Sequence, residues 1–231
     1  MKTIGIIGGM SWESTVTYYQ QINRLVKERL GGLHSAKCIV FSVDFAEIEA
    51  YQSKGEWDKA GAELADVAKK LELAGADMIV LATNTMHKVI SPIEEATKLP
   101  VIRIADATAE AIRQQGLNRV ALLGTKYTME QDFYKGRVQE HGVDVMVPDP
   151  NEQEQINHII FNELVLGEFR QESKQYYLDV VDRLLNSGAE GVIFGCTEIG
   201  LLIQAKDVSV PVFDTSLIHV ERAVAEALSY S

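Results

Sequence analysis

The chain has little positive charge, little cysteine and no long apolar run, and each shortage removes a class of function. Lysine and arginine number 22 against 33 aspartates and glutamates, giving a formal net charge of -11. With no basic patch to release counterions, a nucleic-acid partner or an anionic membrane surface is not expected. An acidic substrate stays open, because it needs only one local cationic pocket. No stretch approaches the ~20 apolar residues of a membrane span. Met1-Lys2-Thr3-Ile4 leads straight into an apolar run, without the charged leader and cleavage site of a secretion signal. The two cysteines, Cys38 and Cys196, are therefore expected as free thiols in a reducing cytoplasm. No His, Cys and carboxylate cluster has structural-metal spacing, so no metal is expected, and His87 and His141 stand alone.

What the chain does have is alternation. Short β-branched apolar runs at 3–7, 37–43, 78–82, 101–104, 120–123, 143–147, 191–194 and 210–213 read as buried strands. Amphipathic stretches at 14–30, 57–74, 108–115, 130–141, 152–166, 171–186 and 219–228 read as helices between them. Strands apolar on both sides, each followed by a helix, imply parallel sheets covered on both faces.

The alternation is also duplicated. Residues 74–85 (AGADMIVLATNT) align without a gap with residues 187–198 (SGAEGVIFGCTE). Ile4-Gly5-Ile6-Ile7-Gly8-Gly9 matches Val120-Ala121-Leu122-Leu123-Gly124-Thr125, and Leu99-Pro100-Val101-Ile102 matches Val210-Pro211-Val212-Phe213. Anchors in one order at a nearly constant offset mean two similar units. The expected fold is α/β with two pseudo-symmetric lobes, each a parallel β-sheet flanked by helices. The first lobe takes 1–103 with 211–231, the second 104–210. Ligands of such sheets bind beyond the carboxyl ends of the strands, which puts the site in an interlobe cleft lined by strand-to-helix turns.

Four such turns carry chemistry. Gly8-Gly9-Met10-Ser11 opens a helix, and its backbone N–H groups suit an anion, or else it is only a tight turn; a dinucleotide fingerprint is excluded by the glycine spacing. Thr83-Asn84-Thr85 packs three polar side chains after a strand, more than a helix cap needs. Gly195-Cys196-Thr197-Glu198 puts a thiol at a helix start, where its pKa is expected to fall, the alternative being a small buried hydrophobe. Gly124-Thr125-Lys126-Tyr127-Thr128 supplies hydroxyls and a cation, for a carboxylate or for a cap. Cys38 reads as core, Gln52 sits in a polar connection before Trp57, and Arg170 lies between two helices.

Gly8-Gly9-Met10, the Asn84-Thr85 tip, Gly195-Cys196-Thr197-Glu198 and the duplicated plan together resemble the aspartate/glutamate racemase family, which works without pyridoxal phosphate. The resemblance spans essentially the whole chain. It implies an acidic amino acid as substrate, racemised by proton removal from Cα and return on the opposite face, with no cofactor and a homodimeric assembly. The family's second catalytic cysteine falls on Cys196. Its first falls on Thr83, where this sequence departs from the pattern. Met10, Gln52, Asn84, Thr85, Thr197 and Glu198 would line the substrate by that resemblance, with Thr128 and Arg170 as looser matches. Because the family's second cysteine serves the L-isomer, the departure favours L-substrate. A one-thiol decarboxylase or isomerase of a dicarboxylic acid, and a non-catalytic amino-acid-binding protein, are the alternatives.

Overall fold

The computed structural model describes residues 1–229. The chain divides into two compact units, Met1–Arg103 together with the residues from His219 onward, and Ile104–Ile218. The first unit holds β1 (Ile4–Gly8), α1 (Trp12–Leu30), β2 (Cys38–Ser42), α2 (Phe45–Lys54), α3 (Trp57–Leu73), β3 (Met78–Leu81), α4 (Ile90–Ala96) and β4 (Val101–Ile102). The second holds α5 (Ile104–Gln114), β5 (Arg119–Gly124), α6 (Lys126–Glu130), α7 (Lys135–Glu140), β6 (Asp144–Met146), α8 (Pro150–Asn162), α9 (Gln171–Asn186), β7 (Val192–Gly195), α10 (Ile199–Leu202) and β8 (Val212–Asp214). A last helix, α11 (Thr215–Leu228), begins in the second unit and from His219 belongs to the first.

Each unit has one four-stranded sheet, all parallel, in the orders β2-β1-β3-β4 and β6-β5-β7-β8. The topology is the same, and so is the register. Ile79 lies opposite Gly5 and Val101, and its repeat counterpart Val192 lies opposite Ala121 and Val212, the counterparts of those two residues. A slip of one residue would turn every side chain to the other face, so shared register means shared facing. Thr83 and Cys196 therefore hold equivalent positions, each in its own unit.

The facing is easily read in the first sheet. Ile4, Ile6, Met78, Val80 and Ala82 point to one side, under Tyr18, Ile22 and Val26 of α1 and Val220, Ala223, Val224 and Ala227 of α11. Ile7, Ile79 and Leu81 point to the other, under Leu64, Val67, Ala68 and Leu71 of α3. Each of the larger side chains so buried contributes about 1.5–3 kcal/mol. The second unit has a single continuous core around Leu122, Leu123, Ile193 and Phe194, closed by Tyr177, Val180 and Val181 of α9. Helix starts follow local chemistry: Asp149 and Glu152 form a capping box ahead of Pro150, and Ser11 caps α1 by accepting from the Ser14 N–H.

Helices α4 and α10 were not expected from the sequence, α5 and α11 each begin four residues before the expected stretches, and four further departures follow. The strand at Val212–Asp214 pairs with β7, which carries the second unit through Ile218 where the sequence boundary stood at 210; residues 230 and 231 of the range 211–231 lie outside the described residues. The polar connection before Trp57 is a helix, α2, started by the Asp44 side chain on the Ala46 N–H and stopped by Gly55 in the left-handed region. The stretch 130–141 is not one helix, because the chain breaks between α6 and α7 to bury Tyr134 and begins already at Lys126 under the Thr125 cap. The stretch 152–166 starts two residues earlier at Pro150 and closes at Asn162, followed by a 3-10 turn at Leu164–Leu166.

Candidate active site

In each unit the two central strands end side by side. In the first, Ile7 of β1 pairs with Leu81 of β3, so Gly8–Met10 and Thr83–Thr85 emerge at one edge. Gly9 is required there: its φ is +95°, and a Cβ would sit 2.2 Å from the carbonyl oxygen of Val43. Its N–H donates to Thr15 Oγ1 at 2.8 Å, so this amide, which the sequence offered to an anion, is already engaged within the turn. Met10 is buried in the same core cluster as Ile7, Leu81 and Met86. Gln52 is buried on α2.

The Thr83 tip is fixed from below. Thr83 is partly buried, and its carbonyl oxygen accepts from His87 Nδ1 at 2.7 Å. Asn84 and Thr85 are buried, and a 3-10 turn runs from Thr85 to Val89 with no capping bond from the Asn84 side chain. The His87 ring meets the His219 ring edge to face, with centroids 5.7 Å apart. His219 is fully buried, with Nε2 at 2.7 Å from the Ile102 carbonyl oxygen and Nδ1 at 3.0 Å from the Tyr18 hydroxyl. A carbonyl only accepts, so Nε2 carries the proton. Burial drops the His219 pKa to about 3 and keeps the ring neutral, which leaves Nδ1 to accept from Tyr18. Sequence reasoning missed this chain; isolated histidines carry no signal of pairing until the fold is known.

In the second unit Gly124 pairs with Gly195, so Thr125–Thr128 and Cys196–Glu198 emerge together. Thr128 is fully buried, its Oγ1 at 3.0 Å from Thr125 Oγ1, and it lies beneath both glycines, where a Cβ on either would meet its methyl at 3.3 Å. Cys196 is partly buried, and its thiol donates to Glu198 Oε2 at 2.9 Å. Thr197 is partly buried and Glu198 buried.

The expectation of a lowered Cys196 pKa is corrected. Desolvation pushes the thiol well above its usual value, and the negative charge of Glu198 and then of Asp214 push it the same way. The helix that follows, α10, has four residues, too short to offset them with its dipole. Asp214 is held by Ser216 and the Leu217 N–H and is itself raised by burial. Cys38 is half-buried at the margin of the core that holds Ile4 and Ile6, and burial raises its pKa to about 11.

Two neighbours of Cys196 were not singled out by sequence. Tyr177 on α9 is fully buried, and after burial itself the charges of Glu163 and Glu198 hold its proton on. Glu163 is buried and accepts from the Ser173 hydroxyl. Arg170 is exposed ahead of α9, with Nη1 at 3.5 Å from Glu163 Oε1 and Nη2 on Glu168. Its charge is thus already matched by two carboxylates. Among the described residues no group of His, Cys, Asp and Glu is arranged to hold a metal ion, and no helix is long and apolar enough to cross a membrane.

Comparison with known proteins agrees across the full length. The family model described as Asp/Glu/Hydantoin racemase matches residues 7–223. A candidate Asp/Glu racemase from Yersinia pestis is 54% identical, superposes with a TM-score of 0.94, and is covered over 100% of its chain by 99% of this one. An aspartate racemase homologue from Pyrococcus horikoshii is 39% identical with a TM-score of 0.88 over the same shares. A broad specificity amino-acid racemase of Bacillus subtilis is 22% identical over 98% of this chain and 99% of its own.

Proposed function

The chain belongs to the Asp/Glu/hydantoin racemase family, and from that premise we propose that it racemises aspartate or glutamate without pyridoxal phosphate or any other cofactor. The observation that carries this reading is the equivalence of Thr83 and Cys196, each just past the carboxyl end of a central strand in one of two units of identical topology. Racemisation needs one group to take the Cα proton and another to return one on the opposite face. The duplicated fold supplies two such positions.

Cys196 deprotonates the L-isomer. The C–H electron pair passes into the α-carboxylate as an enolate-like charge, stabilised by amide and hydroxyl donors such as Asn84, Thr85 and Thr197. Thr83, or a water beside it, protonates the other face. A threonine hydroxyl gives a proton to a strongly basic carbanion far more readily than it takes one from carbon near neutral pH, so the enzyme favours L-substrate. Met10, Gln52, Thr128 and Glu198 line the substrate, and Arg170 reaches an anionic side chain by exchanging Glu168 for it. The protein acts as a homodimer in the cytoplasm. Trp12, Val16 and Tyr19, exposed in one row on α1, offer apolar area for self-association; a monomeric mass by light scattering would remove that part of the reading.

Exchange of the α-proton in heavy water, followed by NMR from each enantiomer of aspartate and glutamate without added cofactor, tests the whole. Exchange is expected from the L-isomer and much less from the D-isomer in the first turnover. Equal exchange from both sinks the asymmetry, and none from either sinks the racemase. The single thiol also favours a second reading, decarboxylation of a malonate-type acid, for which release of CO2 is the mark.

A further inference from the structure

The second unit carries a cavity that the chemistry of the strand tips leaves unused. It lies where β7, β8 and α10 meet and holds about 270 Å3. Phe194, Ile203, Val212 and Leu217 give it apolar walls, and Gly200 and Asp214 help to close it. Its volume falls just under the usual range of ~300–1,000 Å3 for small-molecule sites, so its occupant is small.

Asp214 is the only charged residue lining it. One oxygen, Oδ1, is spent on the start of α11. It accepts from the Ser216 hydroxyl at 2.5 Å and from the Ser216 and Leu217 N–H groups at 3.0 and 3.2 Å. The other oxygen, Oδ2, takes no hydrogen bond among the described residues. It rests against bare backbone, where a Cβ on Gly200 would sit 2.6 Å away. No lysine, arginine or histidine among the described residues pairs with this carboxylate, and burial raises its pKa. A half-buried carboxylate oxygen without a donor is costly, and a ligand that brings a donor recovers that cost.

We propose that this cavity binds a small aliphatic ammonium ion, whose nitrogen donates to Asp214 Oδ2 while its carbon chain lies against the apolar walls. A cation suits the unmatched charge better than a neutral hydroxyl, and an anion is repelled. The site is separate from the one that holds the acidic amino acid. Asp214 ends the edge strand β8, whereas the tips with Thr83 and Cys196 follow central strands. The inference rests on the geometry of the second unit and stands apart from the racemase reading. It also gives the occupant an effect at a distance. After desolvation and Glu198, the charge of Asp214 raises the Cys196 pKa, so an ammonium seated on Asp214 eases ionisation of the thiol without touching it.

The probe is isobutylammonium chloride, titrated at constant ionic strength and followed by ligand-observed saturation-transfer NMR, with isobutanol as its neutral isostere. Millimolar binding of the ammonium is expected, with isobutanol at least about tenfold weaker. Asp214→Asn keeps the cap of α11, because asparagine caps as well as aspartate, but removes the charge. Its Kd for the ammonium should rise about tenfold. Ala205→Leu, at the cavity wall, leaves the carboxylate in place and takes up the space, and should weaken binding as well. Unchanged affinity in either variant overturns the inference, since the amine then only coats a protein of net charge -11. Equal binding of isobutanol overturns it too. Alkylation of Cys196 by iodoacetamide at pH 8, read on its own peptide by mass spectrometry, tests the effect on the thiol. Saturating amine should speed it about twofold in the unaltered protein and leave Asp214→Asn unmoved. No acceleration in the unaltered protein would overturn the link to the thiol.

Discussion

The tip after β3 and the tip after β7 share a scaffold and differ in everything attached to it. Both follow a central strand of a four-stranded parallel sheet in the same register. One carries Thr83 and Thr85 over a buried pair of histidines, with the Thr83 carbonyl tied to His87. The other carries Cys196 and Glu198 hydrogen-bonded to each other beside buried Tyr177 and half-buried Asp214. The difference shows that backbone duplication constrains where a reactive side chain stands, while the charge and solvation around it are set separately in each unit. Symmetry of fold therefore carries no guarantee of symmetry in proton transfer.

That contrast can be broken by experiment. Cys196→Ala removes the only thiol at either tip and should reduce α-proton exchange from L-substrate at least about 1000-fold, the scale of a lost acid–base group. Retained exchange would move the base elsewhere. The turns beneath the two tips come next. A Cβ on Gly8 would meet the Thr15 side chain at 2.5 Å, whereas on Gly124 its nearest neighbours stand at 3.2–3.3 Å. Gly8→Ala should cost about 2 kcal/mol in urea unfolding and Gly124→Ala clearly less. Equal costs would show that Thr15 gives way.

Thr83→Cys should make the tips more alike and raise exchange from D-substrate about tenfold, a gain of about 1.4 kcal/mol in transition-state stabilisation. Without a gain, Thr83 is not the missing proton group. The smallest effect concerns pH. His219 has a pKa of about 3 when folded against 6.5 when exposed, so between those values the unfolded chain binds the extra proton. Stability is lost as pH falls through that window, at up to about 1.4 kcal/mol per pH unit. His219→Gln should flatten the slope by close to one proton in unfolding curves between pH 6.5 and 4.5. An unchanged slope would mean the ring is not neutral in the folded unit.

Much of this was legible in the chain. All eight strands among the described residues were visible as β-branched runs, most plainly the central β1, β3, β5 and β7, because strands buried on both faces need unbroken apolar sequence. The ungapped match of 74–85 with 187–198 carried the register as well as the topology, since its partners in β1, β4, β5 and β8 repeat in the same order. Helix α2 was missed because Ile48 and Gln52 are its only buried positions, too few for a periodic stripe. Its cap residues Asp44 and Gly55 were the signal to use. The break before Tyr134 was invisible because the periodicity of 130–141 continues through it. At the site, Cys196 was found from sequence but its acidity was not. The pKa depends on desolvation and on Asp214, eighteen positions downstream by sequence and adjacent only because β8 pairs with β7.

The late return of α11 to the first unit has a consequence for synthesis. Residues 219–228 cover Ile4, Ile6, Met78 and Val80, yet they are translated only after every strand of the second unit. When the ribosome has completed residue 218, one face of the first sheet is still without its final helix, while the second unit already has the strands it needs. The nascent chain thus finishes its second half before its first, and the open face is where a chaperone or a neighbouring polysome product would take hold.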